Sequence, residues 1–436
     1  MIALTLDFSC RRRWSCAMTM IVVLGIGGCT GTAIGTHPPV SSAIPQLAPT
    51  GVLTRDVAVN WALTHDPAYR ALVLSDELEA LDIRRQGRLH NPGITLGRLT
   101  RGGDTEIDRG LDLDLLGLLT LPTRMALSDR ELARAGLDAR IRLLQRQLAI
   151  SLAWIDAVAA VQRARYAEDV DLAAQAAQEL ASRMRKAGTL NALDEGRERA
   201  FALESGVSLR MARAEARQAR EKLALLMGVA DPEALMLPDQ LPPLPDVVAD
   251  DVSADTLMKE RLDILSVRAE TDTLARSLRL GKATRVVNVL ELGLQSNSET
   301  GQPRQHGQSL RLELPLFDAG VSRVREADLR YRRALELAAA RALAVQQEWR
   351  QAQAGERDAW GSAKTYHDEL IPLQKRLMDE TLLRYNGMLA DTFEVLAQSR
   401  EQIRTLNAGL DAQAAYWRAA AVREHVRFAP LPRGES

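Results

Sequence analysis

One segment of the chain reads Leu310-Arg311-Leu312-Glu313-Leu314-Pro315-Leu316-Phe317-Asp318-Ala319-Gly320. Its first half alternates, with leucine at positions 310, 312 and 314 and a charged residue at positions 311 and 313. Side chains of a strand point alternately to opposite faces, so this pattern predicts a strand with one apolar and one charged face. Beyond Pro315 and Gly320 the apolar residues recur at helical spacing. The sequence therefore predicts a strand that leads directly into a long helix.

The same arrangement occurs earlier in the chain. Gly110-Leu111-Asp112-Leu113-Asp114-Leu115 alternates in the same way, and a long helix-forming run follows it. Leu310 lies 199 residues after Leu111, and Gly387 lies 199 residues after Gly188. These two glycines each end a long helical run. Two features with one spacing indicate a duplicated unit of that length.

Each repeat is predicted to contain a helix, two strands, a long helix, a turn and a return helix. The first helices are expected at 56–90 and 254–280, and the long helices at 123–187 and 320–386, the second with a kink at Pro372. A helix of that length extends roughly 100 Å. The predicted fold is mainly α with a small β part. The two repeats cover 54–230 and 254–427, joined by a Pro-rich linker at 231–253 and followed by a tail at 428–436.

Composition argues against several classes of protein. The net charge is −1 with acidic and basic residues interspersed, so no nucleic-acid partner is expected. Aromatic residues make up only 4% of the chain, which suits close packing between helices better than the core of a compact enzyme. The six histidines are scattered, and no phosphate loop, nucleophile motif or dinucleotide fingerprint is present. We therefore expect neither catalysis nor a metal or cofactor site.

The N-terminus has the features of an export signal. Arg11, Arg12 and Arg13 precede a short apolar run at 17–26. The following Ile26-Gly27-Gly28-Cys29 resembles a bacterial lipobox. This resemblance implies that residues 1–28 are removed as a signal peptide and that Cys29 is acylated with palmitate or a similar chain, leaving 29–53 as a flexible, lipidated tether. Thr30, rather than Asp, after the cysteine favours the outer membrane. The alternative is an ordinary signal peptide with an incidental cysteine.

The order of elements resembles the TolC-type outer-membrane efflux family. The residues that carry the resemblance are 312–320 at the second strand-to-helix joint, 384–396 at the second helix tip, and Asn91-Pro92 before the first strand. The resemblance extends over residues 56–426. The first repeat departs from the pattern, because Leu115-Leu116-Gly117-Leu118-Leu119 replaces the Pro-x-Phe segment.

The resemblance implies a homotrimer with an α-barrel and a 12-stranded transmembrane β-barrel. Four strands per chain cannot close a barrel, and open edges cannot face lipid, whereas three copies supply about twelve strands. Leu111, Leu113, Leu310, Leu312 and Leu314 would face lipid. Asp112, Asp114, Arg311 and Glu313 would face the lumen. The implied function is a passive exit duct for small toxic compounds or metal ions, which receives them from a periplasmic adaptor (membrane fusion protein) and an inner-membrane pump of the RND type.

The helix tips hold the remaining candidate residues. Glu394 matches an acidic position of the family, and Glu195 precedes it by 199 residues. Together with Asp194 and Asp391, these acids are candidates for an aperture gate. The alternative for each is a solvated acid that stabilises a helix N-terminus, and this alternative is favoured for Asp194, Glu195 and Asp391. The turns Gly188-Thr189-Leu190 and Gly387-Met388-Leu389 are the predicted adaptor-docking sites.

Three other interpretations remain open. The strands could form a soluble sheet with one wet face. The chain could be a periplasmic coiled-coil adaptor or structural lipoprotein, since adaptors also contain long helical hairpins. Within ducts, the exit channel of type I protein secretion competes with efflux of small compounds.

Overall fold

The computed structural model describes residues 48–248 and 252–432. The predicted signal peptide and Cys29 lie outside these residues. The helices and strands of the first repeat are α1 (Arg55–His65), α2 (Pro67–Gln86), β1 (Gly93–Arg101), β2 (Asp104–Asp114), α3 (Leu115–Lys186) and α4 (Ala192–Met227). Those of the second are α5 (Ala254–Glu260), α6 (Leu262–Ala283), β3 (Val289–Glu299), β4 (Gln305–Glu313), α7 (Val321–Thr365), α8 (Ile371–Asn386) and α9 (Thr392–Val426). The structure is therefore mainly helical with one small sheet, as predicted.

The first helix of each repeat is divided in two, unlike the single helices that were predicted. In the first repeat Asp66 separates α1 from α2, and its carboxylate accepts hydrogen bonds from the backbone N–H groups of Ala68 and Tyr69. Pro67 follows as the first residue of α2, where a missing N–H costs nothing. In the second repeat Arg261 occupies the break between α5 and α6.

The four strands form one antiparallel sheet in the order β1-β2-β3-β4. The polar, glycine-containing segment at 296–308 has the composition expected of a loop, but β3 continues to Glu299 and β4 already begins at Gln305. Side chains on both faces are polar in this part of the two strands, so no alternation marks them in the sequence. Leu314, which was expected in the strand, lies one residue beyond β4.

The long helices differ between the repeats. The α3 helix has 72 residues and begins at Leu115, earlier than predicted, because the Asp114 carboxylate accepts a 2.7 Å hydrogen bond from the Gly117 N–H. In the second repeat, a π-helical turn at Tyr366–Leu370 separates α7 from α8. This turn comes directly before Pro372, which lacks the N–H for a regular helical bond. The predicted kink therefore coincides with a break in the helical pattern.

Gly320 is required at the joint between β4 and α7. Its φ is +68°, and a Cβ at this position would lie 2.2 Å from the backbone oxygen of Arg285. Only glycine combines the left-handed conformation with this close approach. The joint thus fixes the end of the sheet against the start of the second long helix.

The main core lies around the middle of the long helices, and the Pro-rich segment covers it. Leu235 and Leu241 of this segment are buried together with Trp154 of α3. Indole N–H groups bind backbone oxygens at its edges: Trp417 donates to Pro242 at 3.0 Å and Trp360 donates to Pro245 at 3.0 Å. Up to residue 248, the predicted linker is therefore a packed strap across the helices.

Related ion pairs join each long helix to the break in the short helices. In the first repeat Arg146 of α3 lies 2.6 Å from the Asp66 carboxylate. In the second, Arg341 of α7 lies 2.5 Å from that of Asp263. The arginines are 195 residues apart, not 199, so the spacing between the repeats changes along the chain.

The second of these sites contains a fully buried guanidinium. Arg261 is 0% exposed and binds the Asp263 carboxylate at 3.0 Å, the Val426 carbonyl at 3.1 Å and the Glu348 carboxylate. Arg341 contacts both acids as well. This network of two cations and two anions fastens the end of α9 to α6 and α7.

Within residues 48–248 and 252–432, no helix combines the length and the apolar character needed to cross a membrane.

Candidate functional site

The pairing of the strands assigns every side chain of the sheet to one of two faces. Directly opposed residues of antiparallel strands share a face. Leu111 is paired with Ile94 on one side and with Leu294 on the other. Asp112 is paired with Gly93 and Gly293. The register is unbroken along all three pairings, so the two faces keep their identity across the sheet.

One face is apolar in the half next to the helices. The residues there are Ile94, Leu96, Leu111, Leu113, Leu290, Leu292, Leu294, Leu310 and Leu312. The other half of this face carries polar side chains apart from Ile107, and its only charged ones among the strands are Arg98 and Arg109. No acidic residue of the four strands lies on this face, which we call the leucine face.

The opposite face is strongly acidic. Its acids are Asp104, Glu106, Asp108, Asp112, Asp114, Glu291, Glu299 and Glu313. Its only basic residues in the strands are Arg101 and Arg311. The four strand charges singled out in the sequence therefore share one face, together with five further acids and one further arginine that the alternation argument did not single out. We call it the acidic face.

A hollow of about 700 Å³ lies where the acidic face meets the helices. There the imidazole Nδ1 of His90 lies 3.2 Å from Asp114, the residue that caps α3. Arg311 donates a 3.3 Å hydrogen bond to Glu291 of the neighbouring strand. Among the described residues, no cluster of His, Cys, Asp and Glu has the geometry of a metal site. Charged side chains of both signs line the hollow.

Within residues 48–248 and 252–432, the outer strands of the sheet have no strand partner on their outer sides. β1 and β4 are the two ends of the strand order. Every residue of β4 is exposed, and so is nearly every residue of β1. Unpaired strand edges present a row of free N–H and C=O groups that can pair with another chain.

The first hairpin tip closes between α3 and α4. Gly188 has a left-handed φ of +78°, and the N–H of Thr189 donates a 3.0 Å hydrogen bond back to the Met184 carbonyl. This is a Schellman-type end with glycine in the left-handed position. Asn191 then begins α4 by accepting a hydrogen bond from the N–H of Asp194.

The second hairpin tip closes in the same way between α8 and α9, with a different residue in the strained position. Met388 has the left-handed φ of +58° there, and its side chain is 93% exposed. The N–H of Leu389 donates back to the Arg384 carbonyl at 2.8 Å. Asp391 begins α9 by accepting from the N–H of Glu394 at 2.8 Å. Gly387 lies one residue before the left-handed position.

The two tips are therefore related by 200 residues, not by the 199 that the glycines suggested. Asn191 corresponds to Asp391, and Asp194 corresponds to Glu394, because each pair has the same place in its helix cap. The pairing of Glu394 with Glu195 was wrong by one residue. The sequence signal for the correct spacing was the cap residue itself rather than the glycine.

The four acids at the tips have different surroundings. Asp194 is buried and binds both the Asn191 amide, at 2.5 Å, and the Arg197 guanidinium, at 3.1 Å. Asp391 uses its carboxylate to cap its own helix. Glu195 lies 4.0 Å from Arg185. Glu394 is half-exposed, and its carboxylate lies 3.6 Å from Arg384, beyond hydrogen-bond distance. Of the four, Glu394 is the most available to an external ion.

Sequence reasoning missed an ion pair near the tips. Arg400 of α9 donates a 3.0 Å hydrogen bond to Glu198 of α4, 202 residues away in the chain. Glu198 is 3% exposed, and a cavity of about 40 Å³ beside it is lined by Met184 and Leu396. Nothing in the local sequence marks either residue, because the pairing exists only once the two hairpins lie together.

Comparison with known proteins gives no match in sequence and clear matches in structure. No family model and no curated protein matches the chain. Solved structures do match it over most of its length. One match is CusC, whose crystal structures describe conformational changes that accompany folding and transmembrane channel formation. It superposes with a TM-score of 0.72 at 13% identity, over 89% of this chain and 97% of that one. The chain has the fold of the TolC-type outer-membrane channels.

Two further channels of this fold match over similar lengths. The outer membrane protein VceC of Vibrio cholerae gives a TM-score of 0.68 at 13% identity and covers 87% of this chain and 97% of its own. The MtrE outer membrane channel of Neisseria gonorrhoeae, in its open state, gives 0.67 at 15% identity, with 86% and 89% covered. The outer-membrane channel fold thus accounts for both repeats and for the sheet.

Proposed function

We propose that three copies of this protein form the outer-membrane exit duct of a tripartite efflux system. The observation that carries the proposal is the sheet, which has two open edges, a leucine face and an acidic face. Closing such sheets into a barrel pairs the free N–H and C=O groups of their edges. It also places the apolar face against lipid and the charged face in a water-filled lumen. Three copies supply the twelve strands. The channel fold of CusC, VceC and MtrE supports this arrangement.

The proposed orientation places the leucine face against lipid and the acidic face in the lumen. The reverse orientation would bury eight acids per copy in hydrocarbon, where each charge costs several kcal/mol. Asp112, Asp114, Arg311 and Glu313 are then lumen residues, as the sequence suggested. Leu316 and Phe317 are almost fully exposed directly below β4. They continue the apolar surface toward the helices.

The excess of acids predicts the charge of the cargo. The acidic face carries eight carboxylates and two guanidinium groups per copy, so the lumen of a trimer is strongly negative. A ring of like charges attracts counter-ions and repels co-ions in a narrow water-filled pore. We propose that cationic small compounds or metal ions pass more readily than anions.

The helical hairpins complete the proposed duct on the periplasmic side. The tips at Gly188-Thr189-Leu190 and Gly387-Met388-Leu389 are proposed to dock a periplasmic adaptor, which connects the duct to an inner-membrane pump of the RND type. Glu394 is the proposed aperture acid, because its carboxylate is half-exposed and only loosely paired. Asp194, which is buried, has a structural place in its helix cap. Acylation of Cys29 would anchor each copy in the outer membrane.

The adaptor interpretation is less well supported. Periplasmic adaptors usually have one helical hairpin flanked by compact β domains. The described residues contain two hairpins that alternate with the halves of a single sheet. Type I protein secretion remains the second candidate within ducts, and the adaptor that copurifies with the protein would separate the two.

Ion selectivity in planar bilayers tests the proposal. In asymmetric KCl, the parent protein is expected to give a reversal potential on the cation-selective side. The triple variant Asp108→Asn, Asp112→Asn, Glu291→Gln removes three acids of the acidic face and is expected to shift the reversal potential toward zero. Arg109→Gln is the matched control, since it removes a charge from β2 on the leucine face.

Two results would contradict the duct. One is a purified particle that remains monomeric in mild detergent and gives no conductance. The other is a conducting particle whose triple variant keeps the parent's cation preference, which would show that the acidic face does not line the pore.

A further inference from the structure

The free edges of the sheet are compatible with each other across two copies. β1 starts at the helices and runs away from them, whereas β4 returns to them, so β1 of one copy and β4 of the next would be antiparallel. We propose that these strands pair with Leu96 of one copy directly opposite Leu312 of the next. This register rests on the proposed function and specifies how the copies join.

The faces limit the choice of register. Even-numbered residues of both β1 and β4 lie on the leucine face, as Ile94, Leu96, Leu310 and Leu312 show. A slip of one residue would turn the leucines of one strand toward the acidic face of the other. Only every second register therefore keeps lipid-facing residues together across the seam.

The slope of the apolar residues selects among the remaining registers. Through the chain of paired residues, Thr95 of β1 is level with Gly307 of β4. The apolar pair of β1, Ile94 and Leu96, is centred on position 95, whereas that of β4 is centred on position 311. From β1 to β4, across three strand-to-strand steps, the centre of the apolar residues thus shifts by four residues toward the helices, relative to the level of the paired residues. Because a bilayer is flat, this descent measures the tilt of the strands against the membrane.

One further step at the same slope crosses the seam. It adds about one and a third residues, so position 95 of the next copy should face position 312 or slightly beyond. The allowed registers place Thr95 opposite either Arg311 or Glu313, and Glu313 is the nearer. In that register Leu96 faces Leu312. Leu314, exposed just past β4, then lies opposite Ile94 and extends the apolar seam.

The register gives an acceptable barrel. It advances the pairing by six residues per copy, or about 18 around twelve strands. An eight-stranded barrel with a shift of eight has strands tilted by about 36°, and the tangent of the tilt scales with the shift per strand. The proposed seam therefore corresponds to a tilt of about 47°, slightly steeper than the roughly 35–45° of transmembrane barrels.

Cysteine cross-linking tests this register. On the acidic face, the proposed seam places Leu99 opposite Ser309, so the variant Leu99→Cys, Ser309→Cys should form disulfides between copies on mild oxidation. Within one copy β1 and β4 are separated by two strands, about 14 Å, which is too far for a disulfide. We expect covalent dimers and trimers on a non-reducing gel. The controls are the parent chain and both single-cysteine variants.

Two matched variants define the result. Leu99→Cys paired with Gly307→Cys reports the register shifted by two residues one way, and Leu99→Cys paired with Arg311→Cys reports the shift the other way. Both should cross-link several-fold less than the Ser309 pair. If either exceeds it, the proposed register is wrong and the trimeric duct stands. If none cross-links in a particle that is still trimeric, the strand edges do not pair. If the parent protein is a monomer, the proposed function fails as well.

Discussion

The guanidinium of Arg400 on α9 lies 3.0 Å from the carboxylate of Glu198 on α4 and joins the two helical hairpins of one chain. It also lies over the ring of Phe201, with 4.4 Å between the guanidinium carbon and the ring centroid. Glu198 is almost fully buried, so Arg400 supplies the positive charge that compensates its carboxylate inside the protein.

Replacing Arg400 should therefore destabilise the protein. Arg400→Met leaves a buried carboxylate unpaired, and we expect a loss of about 3 kcal/mol in the free energy of unfolding. Arg404→Met is the control on the same helix, because Arg404 and its partner Glu401 are both largely exposed. That change should cost less than about 0.5 kcal/mol. Denaturant unfolding followed by circular dichroism measures the free energy of unfolding of both variants. Equal losses of this free energy would show that the buried Glu198 pair contributes no more to stability than an exposed pair.

The two hairpin tips should respond differently to glycine. Met388→Gly removes a non-glycine residue from the left-handed conformation and should stabilise its tip by about 1 kcal/mol. Gly188→Ala introduces the same strain at the first tip and should cost a similar amount. Hydrogen exchange at the amides of Leu389 and Thr189, which close the two turns, measures both effects. Gly387→Ala is the control, since Gly387 does not have the left-handed conformation; a loss there as large as at Gly188 would contradict the 200-residue alignment.

His425 should make the protein less stable in mild acid. Burial is the main cause that lowers the pKa of its imidazole, and the nearby Arg261 lowers it further, while the Pro430 carbonyl and Glu348 act in the opposite direction. The folded state therefore favours the neutral ring. Below the ordinary value of about 6.5 the unfolded chain binds the proton more readily, so stability present above that pH is lost as the pH falls.

Substitution of His425 tests this sign. In His425→Gln, the free energy of unfolding should decrease less between about pH 7.5 and pH 5.5 than in the parent chain. His367→Gln removes a histidine with a largely exposed side chain and is the control. An unchanged slope in His425→Gln would show that this imidazole does not contribute to the acid sensitivity.

The buried network around Arg261 should be among the most sensitive sites in the chain. Arg261→Met leaves Asp263 and Glu348 with Arg341 alone, which gives a net negative charge inside the protein, and a loss of about 3–5 kcal/mol is expected. Arg85→Met serves as the surface control, because Arg85 and Asp82 are both largely exposed. If the two variants have the same unfolding temperature, the network does not fasten α9 to α6 and α7.

The sequence predicted those parts of the fold that depend on periodicity. Alternation identified the strand segments around Leu111 and Leu310, because apolar and charged side chains alternate along each strand there. It failed beyond Ser296, where both faces carry polar side chains and no period remains. The predicted start of the first long helix at 123 is too late, because the Asp114 cap already begins α3 at Leu115.

The candidate site was only partly predictable. Strand charges such as Asp112 and Glu313 could be assigned to one face from their parity alone. The Glu198–Arg400 pair and the burial of Arg261 depend on contacts between residues more than 80 positions apart, which no local pattern encodes. The glycine spacing was misleading at the tips, because Met388 occupies in the second tip the place that Gly188 occupies in the first.

That substitution makes the duplicated halves unequal. A ring built from three copies would display six turns in two alternating kinds, one with Gly188, which has no side chain, and one with the exposed thioether of Met388. A partner with sixfold symmetry could not meet all six turns with the same chemistry. It would have to bind every second turn or carry two distinct binding surfaces. Damage to one kind of turn could not be compensated by the other.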